Sequence, residues 1–338
     1  MGLFGRLNNG GQRLAICTAD DGLYAVSVRR AVAGKPTVTL AMFQAPEKGA
    51  PELALEKFGK QLRTKKYRCT TLLAQGQYQL LSVDAPNVPQ DEMKEAVRWR
   101  LKDMIDFPVG DATIDMVDVP VSKAPGVRNQ TLLAVAAQNS IIEQRQMLFS
   151  AAKIALTAID IPDMAQRNIS TLLEPEGRGL AMLSFNADGG LLTVTYGGEL
   201  YLSRRIDVSL TQLLHSQSAP GTMKSGVRDI ELVTEATQLA PTDAQLNCFD
   251  KITLELQRSL DHCDRQYHFI VVAKLVLAPI EAPALQTHLA ANMYMPVEML
   301  DLADVVDLSD TPHLLKAQQQ QRFFLCLGAA LRQEESVS

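Results

Sequence analysis

The chain has no surplus of positive charge, no long apolar run and no cysteine pattern. Lysine and arginine number 33 against 38 aspartates and glutamates, a formal net charge of −5 over 338 residues. That leaves no global field able to hold DNA or RNA by phosphate neutralisation. The one dense basic stretch, Arg63, Lys65, Lys66 and Arg68, reads as a solvated face, with an acidic partner or lipid head groups as the alternative. No segment approaches the roughly 18 apolar residues of a membrane span, and the N-terminus lacks a secretory h-region. The five cysteines (Cys17, Cys69, Cys248, Cys263, Cys326) are odd in number and without CxxC spacing, so neither a disulfide framework nor a thiolate zinc site is expected. A reducing, cytoplasmic setting is expected instead.

Catalytic signatures are also missing. The chain contains no GxSxG, Walker-type GxxxxGK, HExxH or GxGxxG motif. Its five histidines are scattered, and although His262 adjoins Cys263, neighbours on a helix point roughly 100° apart and cannot form a nucleophile pair. No catalytic residue and no metal ligand is nominated. Binding of partners is the expected mode of action.

What is present is an ordinary folding composition, 46% hydrophobic and 21% charged, on a chain long enough for two to four compact units. Strand patterns at 14–17, 23–29, 37–43, 70–73 and 79–83, with a helix at 51–62, make a β-rich start. Met93, Ala96, Val97, Leu101, Met104 and Ile105 recur at helical spacing within 89–105, and Trp99 lies off that stripe. Strands follow at 112–119 and 131–137, with a polar loop at 121–129. Ser140 and Glu143 suggest a capping box for a helix running to about Leu156. A meander at 180–206 uses Asp188-Gly189-Gly190 and Gly197-Gly198 as turns. After a polar loop at 216–228, Leu246, Phe249, Ile252, Leu256, Leu260 and Cys263 share a helical face, and strands at 269–277 and 297–300 alternate with helices at 283–291 and 313–332. A meander followed by alternating helix and strand thus occurs twice, which predicts two related lobes. The expected division is 1–83 with 157–175 for the first lobe, 84–156 for an inserted βαββα-like unit, and 176–338 for the second lobe.

The two opening hairpins, around Cys17-Thr18-Ala19 and Ser184-Phe185-Asn186, occupy the same place in each lobe. They are either ordinary turns or the phosphate-facing hairpins of a nucleotide cleft. Val88-Pro89-Gln90-Asp91-Glu92-Met93, Glu95-Ala96-Val97-Arg98-Trp99, Ile105-Asp106-Phe107-Pro108, Ile159-Asp160-Ile161-Pro162, Glu255-Leu256-Gln257-Arg258-Ser259-Leu260 and Leu327-Gly328-Ala329-Ala330-Leu331-Arg332 complete a recognisable order. The chain resembles the PilM-type proteins of type IV pilus assembly, in particular their MshI branch from mannose-sensitive haemagglutinin pili, over roughly 12–334.

The resemblance implies an α/β, two-lobed actin-like fold related to that of FtsA and of ribonuclease H, with a small α+β insert. It implies an ATP site with Mg²⁺ whose phosphate hairpins read GxDxG and DxG. Here Ala15, Cys17 and Ala19 replace the first Gly, Asp and Gly, and Ser184 and Asn186 replace the second Asp and Gly, so both metal-organising carboxylates are lost. Cys17, Thr18, Ala19, Ser184, Asn186, Glu255, Arg258 and Gly328 form the candidate, degenerate nucleotide site. Read from the residues alone, Glu255 and Arg258 can simply pair at i, i+3, and Gly328 can ease helix packing. The resemblance further implies a scaffold at the cytoplasmic face of the inner membrane, holding the N-terminal tail of a single-pass PilN-like protein beside the insert, with assembly ATPases as further partners. Trp99, Met93 and Phe107 are the candidate partner-binding residues, Trp99 as an interface anchor or as packing against a neighbouring loop. An ATP-gated switch in the same machine and a small-molecule kinase on the related fold are the rival readings.

Overall fold

The computed structural model describes residues 12–30, 34–46, 51–89, 91–119, 131–215 and 242–333. The N-terminal segment and the polar loops at 121–129 and 216–228 lie outside these residues. The chain forms β1 (Arg13–Ala19), β2 (Gly22–Arg29), β3 (Thr37–Gln44), α1 (Pro51–Leu62) and β4 (Arg68–Leu72), then β5 (Gln79–Asp84), α2 (Met93–Leu101), β6 (Ala112–Val119) and β7 (Thr131–Gln138). It continues with α3 (Asn139–Ala151), β8 (Leu156–Asp160) and α4 (Pro162–Ser170). The second half comprises β9 (Gly179–Asn186), β10 (Gly189–Tyr196), β11 (Glu199–Ile206), α5 (Leu210–His215), α6 (Asp243–Gln266), β12 (Val272–Leu277), α7 (Pro283–Asn292), β13 (Val297–Met299) and α8 (Ala317–Ala330).

Two five-stranded sheets carry the same order, β3-β2-β1-β4-β8 and β11-β10-β9-β12-β13. In each, the first three strands are an antiparallel meander and the last two run parallel to the first. This repeated topology is the expected two-lobed actin-like, ribonuclease H-like fold.

The insert is bounded differently from the sequence reading. Strand β5 pairs antiparallel with β7, in a separate sheet of order β5-β7-β6, so the unit begins near 79 and not at 84. Helix α3 does not close that unit, because its Phe149 is buried with Leu14, Ile16 and Phe58 in the first lobe's outer core. The insert is therefore βαββ, and α3 is the first lobe's own helix between β4 and β8. The capping box at Ser140 is not formed either. Strand β7 runs straight into α3 with Gln138 at the N-cap and no side-chain cap bond, which leaves Ser140 already in helical backbone and unable to cap. By contrast α6 starts on a capping box: Thr242 Oγ1 accepts from Gln245 N at 3.3 Å, and Thr242 N donates to Gln245 Oε1 at 2.9 Å.

Helix α2 is shorter than its apolar period suggests. It stops at Leu101, and the following turns fold Ile105 and Phe107 back onto the insert core while leaving Met104 exposed. Arg98 helps hold this return by donating Nη1 to Val109 O at 2.8 Å. On α6, Leu246 is likewise more exposed than the rest of its stripe.

Strands β1 and β9 are covered on both faces. Leu14 and Ile16 face α1 and α3, whereas Ala15 and Cys17 face a middle layer that also holds Leu180 and Met182 from β9. Helices α4 and α8 fill that layer, and each packs on the sheet of the lobe that follows or precedes its own. Gln166 of α4 reaches Met182 O and Leu191 O in the second sheet, at 2.9 and 3.1 Å. Phe323 and Leu327 of α8 pack with Tyr24 and Val26 of the first sheet. The lobes are joined by this exchange of helices.

Candidate functional site

The first candidate place is the cleft between the opening hairpins. Their registers match: Ala19 pairs with Gly22 and Asn186 with Gly189. Both glycines have positive φ, +144° and +140°, and a Cβ on either would meet a backbone carbonyl of the third strand, Gln44 O at 2.2 Å or Ile206 O at 2.9 Å. Glycine is required at both turns for the same reason, close approach together with left-handed backbone. Cys17 and Ser184 consequently stand at equivalent positions, facing the middle layer.

What fills those positions is protein. Ser184 Oγ donates to Gln166 Oε1 at 2.5 Å. Cys326 of α8 points its thiol at Ala15 O and Tyr24 O, 3.6 Å each, and burial, with the Cys17 thiol alongside, pushes the Cys326 thiol well above its ordinary range. Asn186 Oδ1 accepts from the backbone N–H groups of Asp188 and Gly189 within its own turn, at 2.9 and 3.1 Å. Thr18 Oγ1 accepts from Arg145 Nη1 at 2.7 Å, and burial lowers the guanidinium's pKa. Asp21 is taken up by Tyr24 O–H at 2.6 Å and Arg322 Nη2 at 2.8 Å, with the Arg322 guanidinium 4.3 Å from the Phe43 ring centroid.

Magnesium binds hard oxygen donors, chiefly carboxylates and phosphates. A thiol and an amide-bound hydroxyl at the two pivotal positions do not supply them, and among the described residues no group of three or more His, Cys, Asp or Glu could hold a metal. The residues present do not fit Mg-ATP in the actin manner.

The remaining nucleotide candidates lie on two helices, α6 and α8. Glu255 and Arg258 pair with each other at 3.4 Å on the exposed side of α6, as their spacing allows. Gly328 is a packing residue: a Cβ there would lie 2.1 Å from Ala165 O at the crossing of α8 over α4, and Asn168 Nδ2 donates to Gly328 O at 3.0 Å. No ligand can approach it.

The second place is a groove of about 270 Å³ between the insert and the first lobe. Its floor is the insert-sheet face bearing Thr113, Asp115, Val135 and Ala137, one wall is α3 through Ile142 and Gln146, and the other is β8 from Leu156 to Ile159. Strand β8 ends the first sheet, so its outer backbone edge has no strand partner among the described residues. An extended peptide can pair with such an edge while apolar side chains enter the groove.

The partner-binding candidates lie elsewhere. Met93 and Phe107 pack against the insert's own core, together with Val97, Leu101, Ile114 and Ala136. Trp99 is 65% exposed, with Lys102 Nζ 5.8 Å from its ring centroid, and α2 covers the sheet face opposite the groove. Lys102 belongs to the turn after α2, and Trp99 is not among the residues lining the groove. The groove residues were missed because the sequence reading carries the α3 helix to about Leu156, where the structure ends it at Ala151 and starts β8 at Leu156, and because a sheet edge is a topological property with no local signal.

A buried clamp fixes the insert to both lobes. Tyr78 O–H donates to Asp163 Oδ2, Ser203 Oγ donates to Asp163 Oδ1 at 2.5 Å, and the Arg205 guanidinium lies 5.0 Å from the Tyr78 ring centroid. Burial and the neighbouring carboxylate raise the Tyr78 phenol's pKa, so it remains a donor throughout the physiological range.

No family model matches the chain, and no curated protein matches it in sequence. Among solved structures it is similar to a chain of a PilM-PilN type IV pilus biogenesis complex, with 19% identity over 94% of this chain and 97% of that one and a TM-score of 0.67. Weaker likenesses are a Bacteroides thetaiotaomicron protein of actin-like ATPase fold and unknown function (9% identity, 93% and 99% covered, TM-score 0.48) and the cytoplasmic domain of EpsL, an inner-membrane component of the Vibrio cholerae type II secretion system (13%, 73% and 95%, 0.41). At these values the latter two add nothing to the reading. The repeated sheet order and the first likeness agree: this is a two-lobed actin-like protein with an inserted βαββ unit, similar in fold over nearly its whole length to a component of a PilM-PilN complex.

Proposed function

We propose that the chain is a scaffold of a type IV pilus inner-membrane assembly platform, of the MshI type, that holds the N-terminal tail of a PilN-like membrane protein. The groove between the insert and the open edge of β8 carries this reading. It offers backbone pairing, apolar side chains and one carboxylate, Asp115, suited to an extended peptide with a cationic residue. The chain then acts from the cytoplasmic face of the membrane, with the assembly ATPases as further partners and without side-chain catalysis; no helix among the described residues is long and apolar enough to cross a membrane.

Titration of a fluorescent tail peptide tests the reading. Val135→Trp, which fills the groove floor, is expected to weaken binding at least about tenfold, the effect of losing roughly 1.4 kcal/mol. Trp99→Ala, on the opposite side of the insert, is expected to leave affinity within about twofold. The reverse pattern would move the tail site to α2.

The matched hairpins are the one observation favouring an ATP-gated switch. A ligand selective for the folded state raises its stability by RT ln(1 + [L]/Kd). With Cys17 and Ser184 in place of carboxylates, millimolar Mg-ATP is expected to leave the unfolding temperature unchanged. A clear rise, abolished by Arg258→Ala, would favour the switch over a nucleotide-independent scaffold.

A further inference from the structure

We propose that Arg145 is a positioning residue for the tail groove, bridging α3 to the first hairpin and to the turn after β4 and so coupling the groove's shape to the interlobe cleft. This rests on the reading of the groove as the tail site. Three segments far apart in the chain converge on it. Ile142 and Gln146 of α3 line the groove, while Arg145, between them on the helix, reaches the other way to Thr18 Oγ1 at 2.7 Å and Gln77 Oε1 at 3.1 Å. Gln77 Oε1 also accepts from Ala74 N at 3.0 Å, and the residue before Ala74, Leu73, is itself a groove residue. One guanidinium thereby ties together the helical wall, the segment carrying Leu73, and the hairpin.

On the groove side the middle of α3 is held by Ile141 and Ile142, packed against Leu73, Tyr78, Ala137 and Ile161, and Arg145 adds a polar tie to the hairpin and the turn after β4. The helix's C-terminal part is anchored by Phe149 in the first lobe's core, and its first residue by Asn139 Oδ1, which accepts from Thr113 Oγ1 at 2.8 Å. Between these, Glu143, Gln144, Gln146 and Met147 are exposed. A rigid planar fork reaching two acceptors on different segments is a task for arginine, which a lysine ammonium on a flexible stem does not reproduce. Thr18 follows Cys17 in the hairpin, so a shift of that hairpin relative to α3 is passed to the groove without any nucleotide.

The test uses the full chain, the tail peptide of the PilN-like protein as probe, and the variants Arg145→Gln, Arg145→Lys and Thr18→Val, with Val135→Trp as the groove control. Arg145→Gln is expected to weaken peptide binding about tenfold, in the range of ordinary coupling between sites, with Arg145→Lys failing to restore it. Thr18→Val, which touches neither groove nor peptide, is expected to weaken binding in the same sense, and the double variant to be less than additive. Wild-type affinity in both single variants, with Val135→Trp still impaired, overturns the coupling and leaves the tail site standing. If the wild-type chain does not bind the peptide, the tail reading falls. The coupling is then judged by amide hydrogen exchange without peptide: at least about fivefold faster exchange across 139–147 in Arg145→Gln supports it, and unchanged exchange overturns it.

Discussion

Gly328→Ala is expected to destabilise the protein by about 3 kcal/mol, the upper part of the range for overpacking a close-packed interior. The added Cβ would stand 2.1 Å from Ala165 O and 2.6 Å from Ala165 C. Both obstacles are backbone, so no side-chain rotation relieves them, and α4 and α8 have to move apart. That separation would also strain the Asn168 to Gly328 hydrogen bond and the contacts of Phe323 and Leu327 with the first sheet. A urea denaturation curve should show a lower midpoint with a similar slope. An unchanged midpoint would mean that the two helices do not cross at this glycine, and it would reopen Gly328 as part of a ligand site.

Gln166→Leu is expected to cost roughly 4 kcal/mol, although leucine has nearly the same size. The Gln166 side chain is fully buried. Its Nε2, with two hydrogens to share, lies within 3.1 Å of Met182 O, Leu191 O and Thr193 Oγ1, and its Oε1 accepts from Ser184 Oγ at 2.5 Å. A buried polar group left without its partner costs about 1–3 kcal/mol, and this substitution strips partners from several at once. Ser184→Ala should cost far less, about 1 kcal/mol, and should add almost nothing on top of Gln166→Leu because the bond it removes is already gone. Full additivity in chemical denaturation would show that the two side chains do not interact, and would free Ser184 for a ligand.

Both expectations bear on why the nucleotide candidates were only half legible. The hairpins were visible through Asp-Asp-Gly and Asp-Gly-Gly, because a two-residue turn needs glycine where φ is positive. The loss of carboxylates at Cys17 and Ser184 was readable as residue identity. Their replacement partners were not: Gln166 lies 18 residues from Ser184 and Cys326 more than 300 from Cys17, and no local pattern links them. Gly328 could be read either as a ribose-side residue or as a packing glycine, and only the 2.1 Å approach to Ala165 O decides for packing.

The insert shows the same division. Its strands were evident from alternation at 112–119 and from apolar content at 131–137, yet β5 was assigned to the first lobe because a strand's sequence does not say which sheet it joins. Trp99 lay off its helix's stripe in the sequence and is exposed in the structure, but exposure on α2 places it away from the groove.

Short-range physics, namely apolar periodicity and turn glycines, was enough for the sequence to determine two similar α/β lobes with an insert, and the resemblance to PilM-type proteins, with the identities of Cys17 and Ser184, implied that the metal-organising carboxylates are absent. Only the tertiary structure decided that α4 and α8 are exchanged across the lobes, that Ser184 and Cys17 meet Gln166 and Cys326 and Thr18 meets Arg145, and that the edge of β8 borders an open groove. The reason is that β1 and β9 are apolar on both faces, so alternation cannot say which helix covers which side. That choice is made by packing between segments far apart in the chain, where Gly328 meets Ala165 and Gln166 meets Ser184.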